Sequence, residues 1–250
     1  MKHVNTSPAY IQAPITREYV ENFYNLVTGD TWTSLVADTG STLTKIVGGG
    51  ALLTSDGTDN DEVGLWTTDF IVPGTTSSVS FEITGRVKIN TSLAVNAFIG
   101  LSSAFAADAI ADDKTAAPIA AAGYYNGLFF LTGGSCYYSA ISNGAETASQ
   151  LLEFAPTAGS WFSYRLNYQY NSVDASIYCT PEIDTAGGQN FKPVRSSGNT
   201  SPVHPAFYQS PNVYASFPAA GLKFGHYFKA TGAAATMNLD YAAWAIRRFN

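Results

Sequence analysis

Apolar and polar residues alternate with a two-residue period through much of this 250-residue chain, most clearly in SVSFEITGRVKIN at 78–90. Val79, Phe81, Ile83, Val87 and Ile89 fall on one face; Ser80, Glu82, Thr84, Arg86, Lys88 and Asn90 fall on the other. That is the pattern of a half-buried strand. Gly85 sits on the apolar face, where it predicts a bulge or a close approach of another backbone. WFSYRLNYQY at 161–170 repeats the pattern, setting Phe162, Tyr164, Leu166, Tyr168 and Tyr170 against Trp161, Ser163, Arg165, Asn167 and Gln169. GLKFGHYFKA at 221–230 places Leu222, Phe224, His226 and Phe228 on one side.

Shorter runs at 43–47, 63–72, 94–101, 127–131, 135–141, 149–154 and 174–180 also read as strands. Turn signals separate them: PGTT at 73–76, GG at 133–134, NG at 143–144 and GG at 187–188. Many short strands with little helix predict an all-β sandwich or barrel. The Ala-rich SAFAADAIADD at 103–113 reads as a short helix on a loop excursion. In ITREYVENFYNLV at 15–27, Ile15, Tyr19, Phe23 and Leu26 have helical spacing, yet Tyr19 to Tyr24 would also serve as a first strand, and periodicity leaves both open.

Residues Pro193 to Pro218 hold five of the 11 prolines. Each proline removes a ladder donor, so the segment is no central strand and reads as a long connection. Its aromatics, Phe207, Tyr208, Tyr214 and Phe217, predict that it packs on something. Met1 to Pro14, polar with two prolines, reads as an extended arm, and 15–250 as one sandwich domain, a common size for an all-β unit.

Charge narrows the partners. Only 13% of residues are charged, against a typical figure of about 25%. Either Ser, Thr and Asn take the solvent positions, or part of the surface meets other subunits, where interface cores are depleted in charge. A net charge of −6 with scattered basic residues argues against nucleic acid. No apolar run approaches the roughly 20 residues of a membrane span. The N-terminal MKHVNTSPAYIQAPITREY lacks the apolar core of a secretory signal, so synthesis and folding in a cytoplasm are expected. In that compartment Cys136 and Cys179 are expected to be buried thiols rather than a bridge.

The densest acidic stretch, TSDGTDNDEVGLWT at 54–67, carries Asp56, Asp59, Asp61 and Glu62 without a basic residue. Counted from Asp56 as a helix-loop-helix Ca²⁺ site, it lacks the glycine at position 6 and the glutamate at position 12. A looser Ca²⁺ site at Asp56, Asp59 and Asp61 is one reading. A solvated turn whose Asx side chains bond local amides is the other and the expected one. GGSCY at 133–137 departs from the nucleophile elbow at its last position. His3, His204 and His226 have no paired-ligand spacing, and His226, on an apolar face, reads as a core residue. Glu182 and Asp184 begin a Glu-x-Asp-x-(x)-Glu glycosidase pattern whose second glutamate is missing. No catalytic residue and no resident cofactor are expected.

Carbohydrate binding without catalysis fits the 15 Tyr, 15 Phe and 4 Trp. Core packing explains most of them. The adjacent pairs Tyr124/Tyr125 and Tyr137/Tyr138, with Tyr208 and Tyr214, are the exposed stacking candidates, because neighbours on a strand point opposite ways.

The order of landmarks carries a resemblance. YVENFY is followed by GGGALLTSDGTDNDEVGLWT, then FEITGRVKIN leading into NAFIGLSS, then WFSYRLNYQYNSVDASIYC, and finally MNLDYAAWAIRR. This resembles virion structural proteins of tailed bacteriophages that use a concanavalin A-like jelly roll, including capsid decoration and fibre-like proteins. The resemblance implies a two-sheet antiparallel sandwich with at most one or two short helices. It further implies a virion protein assembled in the host cytoplasm, as a homotrimer on the major capsid protein or other virion proteins. Its contact segments would be Met1 to Pro14 and Pro193 to Pro218. The alternative it leaves is a carbohydrate-binding module of a fibre or tail that touches the host surface.

Overall fold

A computed structural model describes residues 15–24, 26, 28–37, 39–58, 61–69, 79–90, 95–103, 105–107, 124–142, 145–171, 176–195, 208–210 and 221–248. Among the described residues sixteen strands run in chain order: β1 (Ile15–Glu21), β2 (Trp32–Val36), β3 (Thr42–Lys45), β4 (Ala51–Thr54), β5 (Glu62–Thr67), β6 (Val79–Asn90), β7 (Val95–Ser102) and β8 (Tyr124–Phe130). They continue with β9 (Cys136–Ser142), β10 (Ala145–Leu151), β11 (Trp161–Asn171), β12 (Ser176–Asp184), β13 (Lys192–Pro193), β14 (Tyr208–Ser210), β15 (Lys223–Ala230) and β16 (Thr236–Arg248). Among the described residues there is no helix. Of the segment 15–27 left open between helix and strand, Ile15–Glu21 is strand β1, because its backbone groups pair along β16, and residues 22–24 lie past its end. Of the Ala-rich 103–113, the described residues 103 and 105–107 are non-helical, and the others lie outside the described residues.

The strands form two antiparallel sheets. The first is ordered β13-β12-β11-β6-β16-β4-β3, with β1 also paired to β16 and β14 to β12; the second is ordered β10-β9-β8-β7-β15-β5-β2. The inner faces meet as predicted from the two-residue period. Phe81, Ile83, Val87 and Ile89 of β6, Phe162, Tyr164, Leu166 and Tyr168 of β11, and Phe224, His226 and Phe228 of β15 are all buried between the sheets. Phe81 stacks on Tyr168 with ring centroids 4.8 Å apart.

Gly85 is required by a side chain rather than a backbone. Tyr164 is its cross-strand partner, and a Cβ on Gly85 would lie 2.3 Å from the Tyr164 hydroxyl. The bulge is in the neighbouring strand, where the register between Leu239 and Tyr241 shifts past Asp240. It changes the parity of β16, so Met237 and Leu239 before it and Ala242, Trp244 and Ile246 after it all face the core.

The middle strands of the second sheet, β5, β7, β8 and β15, are buried on both faces, which alternation did not foresee. The outer face of that sheet carries Phe98, Tyr125, Phe129 and Tyr227, all fully buried. In cross-strand register, Gly225 lies opposite Gly100, and Gly100 opposite Gly127. Cβ atoms at Gly100 and Gly127 would meet the Phe98 ring at 2.9 and 3.0 Å, and one at Gly225 would meet Phe105 at 2.8 Å. Phe105, just past β7, stacks on Trp66 with centroids 5.1 Å apart.

Candidate functional site

The outer face of the first sheet carries the polar half of the alternating strands. Three rows cross it in register. One runs Val20, Ala243, Thr84, Arg165, Glu182; its neighbours on either side hold Ala245, Glu82 and Asn167, and Tyr241, Arg86 and Ser163. Short side chains at Ala243 and Thr84 leave a hollow between taller ones. The result is a trough of about 470 Å³ lined by Val20, Glu82, Thr84, Arg165, Gln189, Phe191, Tyr241 and Ala243. Its size falls in the range of small-ligand sites, roughly 300–1,000 Å³.

The rim is held by a loop that Asp184 ties down. Asp184 Oδ1 accepts the Ala186 N–H at 2.9 Å and Oδ2 accepts the Asn190 N–H at 2.9 Å. These amide bonds, Ala186 first, hold its carboxyl below the usual carboxylate range. Gly187 makes the turn at φ 69°, with the Trp161 Cβ only 2.7 Å from where a side chain would begin. The loop thereby returns Gln189 and Phe191 to the sheet face.

On that face Arg165 donates through Nε to Glu182 Oε2, and Asn167 Nδ2 donates to the same oxygen at 3.1 Å. The Arg165 guanidinium lies 4.5 Å from the centroid of the Phe191 ring. Beyond Tyr241, Arg86 pairs with Asp240 at 3.0 Å and lies over Trp161 at 4.7 Å. Planar hydrogen-bonding groups and aromatic rings therefore share one open face. Chemically, such a face can bind polar ligands by paired hydrogen bonds and ring contacts.

The residues singled out from sequence are placed elsewhere. Tyr125 is fully buried, which is a correction: the outer face of its sheet is covered, so no ring face is left for a sugar. Tyr124 is half-buried and packs against the inner core. Of Tyr208 only the backbone is described, paired with Cys179. Tyr214 and Met1 to Pro14 lie outside the described residues, as do 196–207 and 211–218 of the connection from Pro193 to Pro218. In the acidic turn, Asp56 Oδ1 and Asp61 Oδ2 both accept the Thr58 N–H, at 2.9 and 3.2 Å. A hydrogen bond shared with the Asp61 side chain, and then the Thr58 amide, hold the Asp56 carboxyl below its usual range. Asp61 is buried, not solvated, and Asp59 lies outside the described residues. Among the described residues no three His, Cys, Asp or Glu side chains converge.

Glu182 and Asp184 do share one face of β12, as their spacing required, but Glu182 is engaged by Arg165 and Asn167, and Asp184 by its own loop. Arg165 and Phe191 were not recognisable as partners, because the register that joins them is not written in either segment.

No protein-family model and no curated protein matches this sequence. Solved structures do match the fold. Peanut lectin with a 9mer peptide aligns with TM-score 0.59 at 11% identity, covering 94% of this chain and 98% of the lectin. Basic winged bean lectin with Tn-antigen aligns with TM-score 0.58 at 9% identity, covering 94% and 99%. A protein of unknown function from Shewanella oneidensis MR-1 aligns with TM-score 0.54 at 13% identity, covering 92% and 86%. The fold is thus the concanavalin A-like jelly roll. The alignments extend over nearly the whole chain.

Proposed function

We propose that this protein is a non-catalytic carbohydrate-binding module and that the trough on the outer face of the first sheet seats the saccharide. The observation that carries the reading is the Arg165–Glu182–Asn167 network beside Phe191, above the short side chains of Thr84 and Ala243. Sugar hydroxyls both donate and accept, and a fixed guanidinium, carboxylate and amide meet them in pairs. The exposed edge of Phe191 and the ring of Tyr241 offer apolar surface to the C–H faces of the ring. The lectin-like fold supports the reading, since aligned structures include a lectin with Tn-antigen and another complexed with galactose. A glycan array probed with wild type, Phe191→Ala and Arg165→Ala tests it. A coherent set of hits that both variants lose is expected, and hits retained by both would move the site off this face.

A second reading is a virion decoration protein, non-enzymatic and without a cofactor, docking as a trimer on a capsid shell. The low charged fraction of 13% and the order of sequence landmarks favour it. An oligomer engaging several shell subunits would gain effective concentration without stronger contacts. Deleting residues 1–14 should then abolish shell occupancy while the sandwich stays folded, and undiminished occupancy would remove the arm from that role.

A further inference from the structure

We infer that the trough selects saccharides bearing a primary ammonium group, with Glu82 as the carboxylate that receives it. The inference rests on the carbohydrate-binding reading and adds the chemistry of the ligand. Glu82 and Arg165 line the trough, and a second carboxylate, Glu182, stands beside Arg165. Arg165 is already paired with Glu182. Glu82 has no such partner among the described residues: Thr84 Oγ1, a neutral hydroxyl, donates to its Oε1 at 3.3 Å. The trough therefore presents one unbalanced negative charge.

Space matches the charge. Glu82 also borders a smaller recess of about 70 Å³, shared with Ser80, Asn167 and Ala245. That volume admits a polar group of ammonium size. An ammonium there would meet the Glu82 carboxylate while the rest of its sugar ring lies in the trough toward Tyr241 and Phe191. A carboxylated sugar would meet the opposite field, with its natural partner, Arg165, already engaged. A neutral sugar gains the hydrogen bonds but not the ion pair. Because Glu82 is half-exposed, the gain is a partly screened one and falls as salt rises.

The test uses the full chain and three β-1,4-linked tetrasaccharides that differ at C2: hydroxyl, acetamide and free amine. Calorimetry at low salt should rank the amine form about ten-fold tighter than the acetamide form, an advantage that shrinks at 0.5 M salt. In Glu82→Gln the ratio of the two affinities should fall to near one. An equal ratio in wild type overturns the ammonium inference while leaving saccharide binding intact. An amine preference that survives Glu82→Gln but disappears in Glu182→Gln assigns the ammonium to the wrong carboxylate and overturns it too. Binding of none of the three overturns both the inference and the reading on which it rests. Circular dichroism of each variant keeps a folding defect from being read as a binding loss.

Discussion

The Tyr164 hydroxyl lies 2.6 Å from His226 Nε2, a hydrogen bond that joins β11 of one sheet to β15 of the other inside the core. Nδ1 of His226 has no hydrogen-bond partner among the described residues. Burial pushes the imidazole pKa down to about 3, against roughly 6.5 in an unfolded chain. The unfolded state therefore binds the proton more readily. The neutral histidine's contribution is complete above pH 6.5 and is lost, at about 1.4 kcal/mol per pH unit, as pH falls toward 3. Urea unfolding of wild type and His226→Gln between pH 7 and 4 should show stabilities that converge as pH falls. A difference constant across that range would contradict the buried neutral histidine.

Gly85→Ala should destabilise the sandwich by about 1–3 kcal/mol through overpacking. The new Cβ would meet the Tyr164 hydroxyl at 2.3 Å and its ring carbons at 2.6 and 2.9 Å, and the ring cannot swing away without breaking its bond to His226. Tyr164→Leu should cost stability by itself yet absorb much of the Gly85→Ala penalty, giving a coupling of at least about 0.5 kcal/mol in a double-mutant cycle. Strict additivity would show that the two residues do not share the space.

Asp184→Asn should loosen the loop that carries Gln189 and Phe191. An asparagine keeps one acceptor but turns an NH₂ toward the second amide, so one of the bonds to Ala186 and Asn190 is lost. Hydrogen exchange at the two amides should quicken, and saccharide affinity should fall about ten-fold, or roughly 1.4 kcal/mol. In wild type the same anchoring is present above the usual carboxylate range and is lost as pH falls through the lowered Asp184 pKa. Amide exchange unchanged by the substitution would separate the loop from Asp184.

Cys136 and Cys179 are both buried free thiols. Desolvation raises the pKa of each, so neither supplies the reactive thiolate at neutral pH. A disulfide-exchange reagent should label neither in native buffer and both in denaturant, with mobility unchanged on a non-reducing gel. Rapid native labelling of either would contradict its burial.

The strand period placed the inner faces of β6, β11 and β15 from residue order alone, including His226 in the core, because alternation of side chains is local to one strand. The same locality made the turn at Gly187 and Gly188 legible, and the amide bonds of Asp56 as well. Strand β16 escaped it. The bulge at Asp240 changes which positions face inward halfway along, so no single period runs through Thr236–Arg248. Strands β2 and β4, of five and four residues, are too short to show a period by themselves. Tertiary structure alone decided that the middle strands of the second sheet are covered on both faces, which turned Tyr125 from a stacking candidate into core. It alone set Arg165 opposite both Thr84 and Glu182 and brought Phe191 over Arg165. Cross-strand register and loop return depend on pairing between distant segments, and a one-residue slip would have sent every one of these side chains to the opposite face.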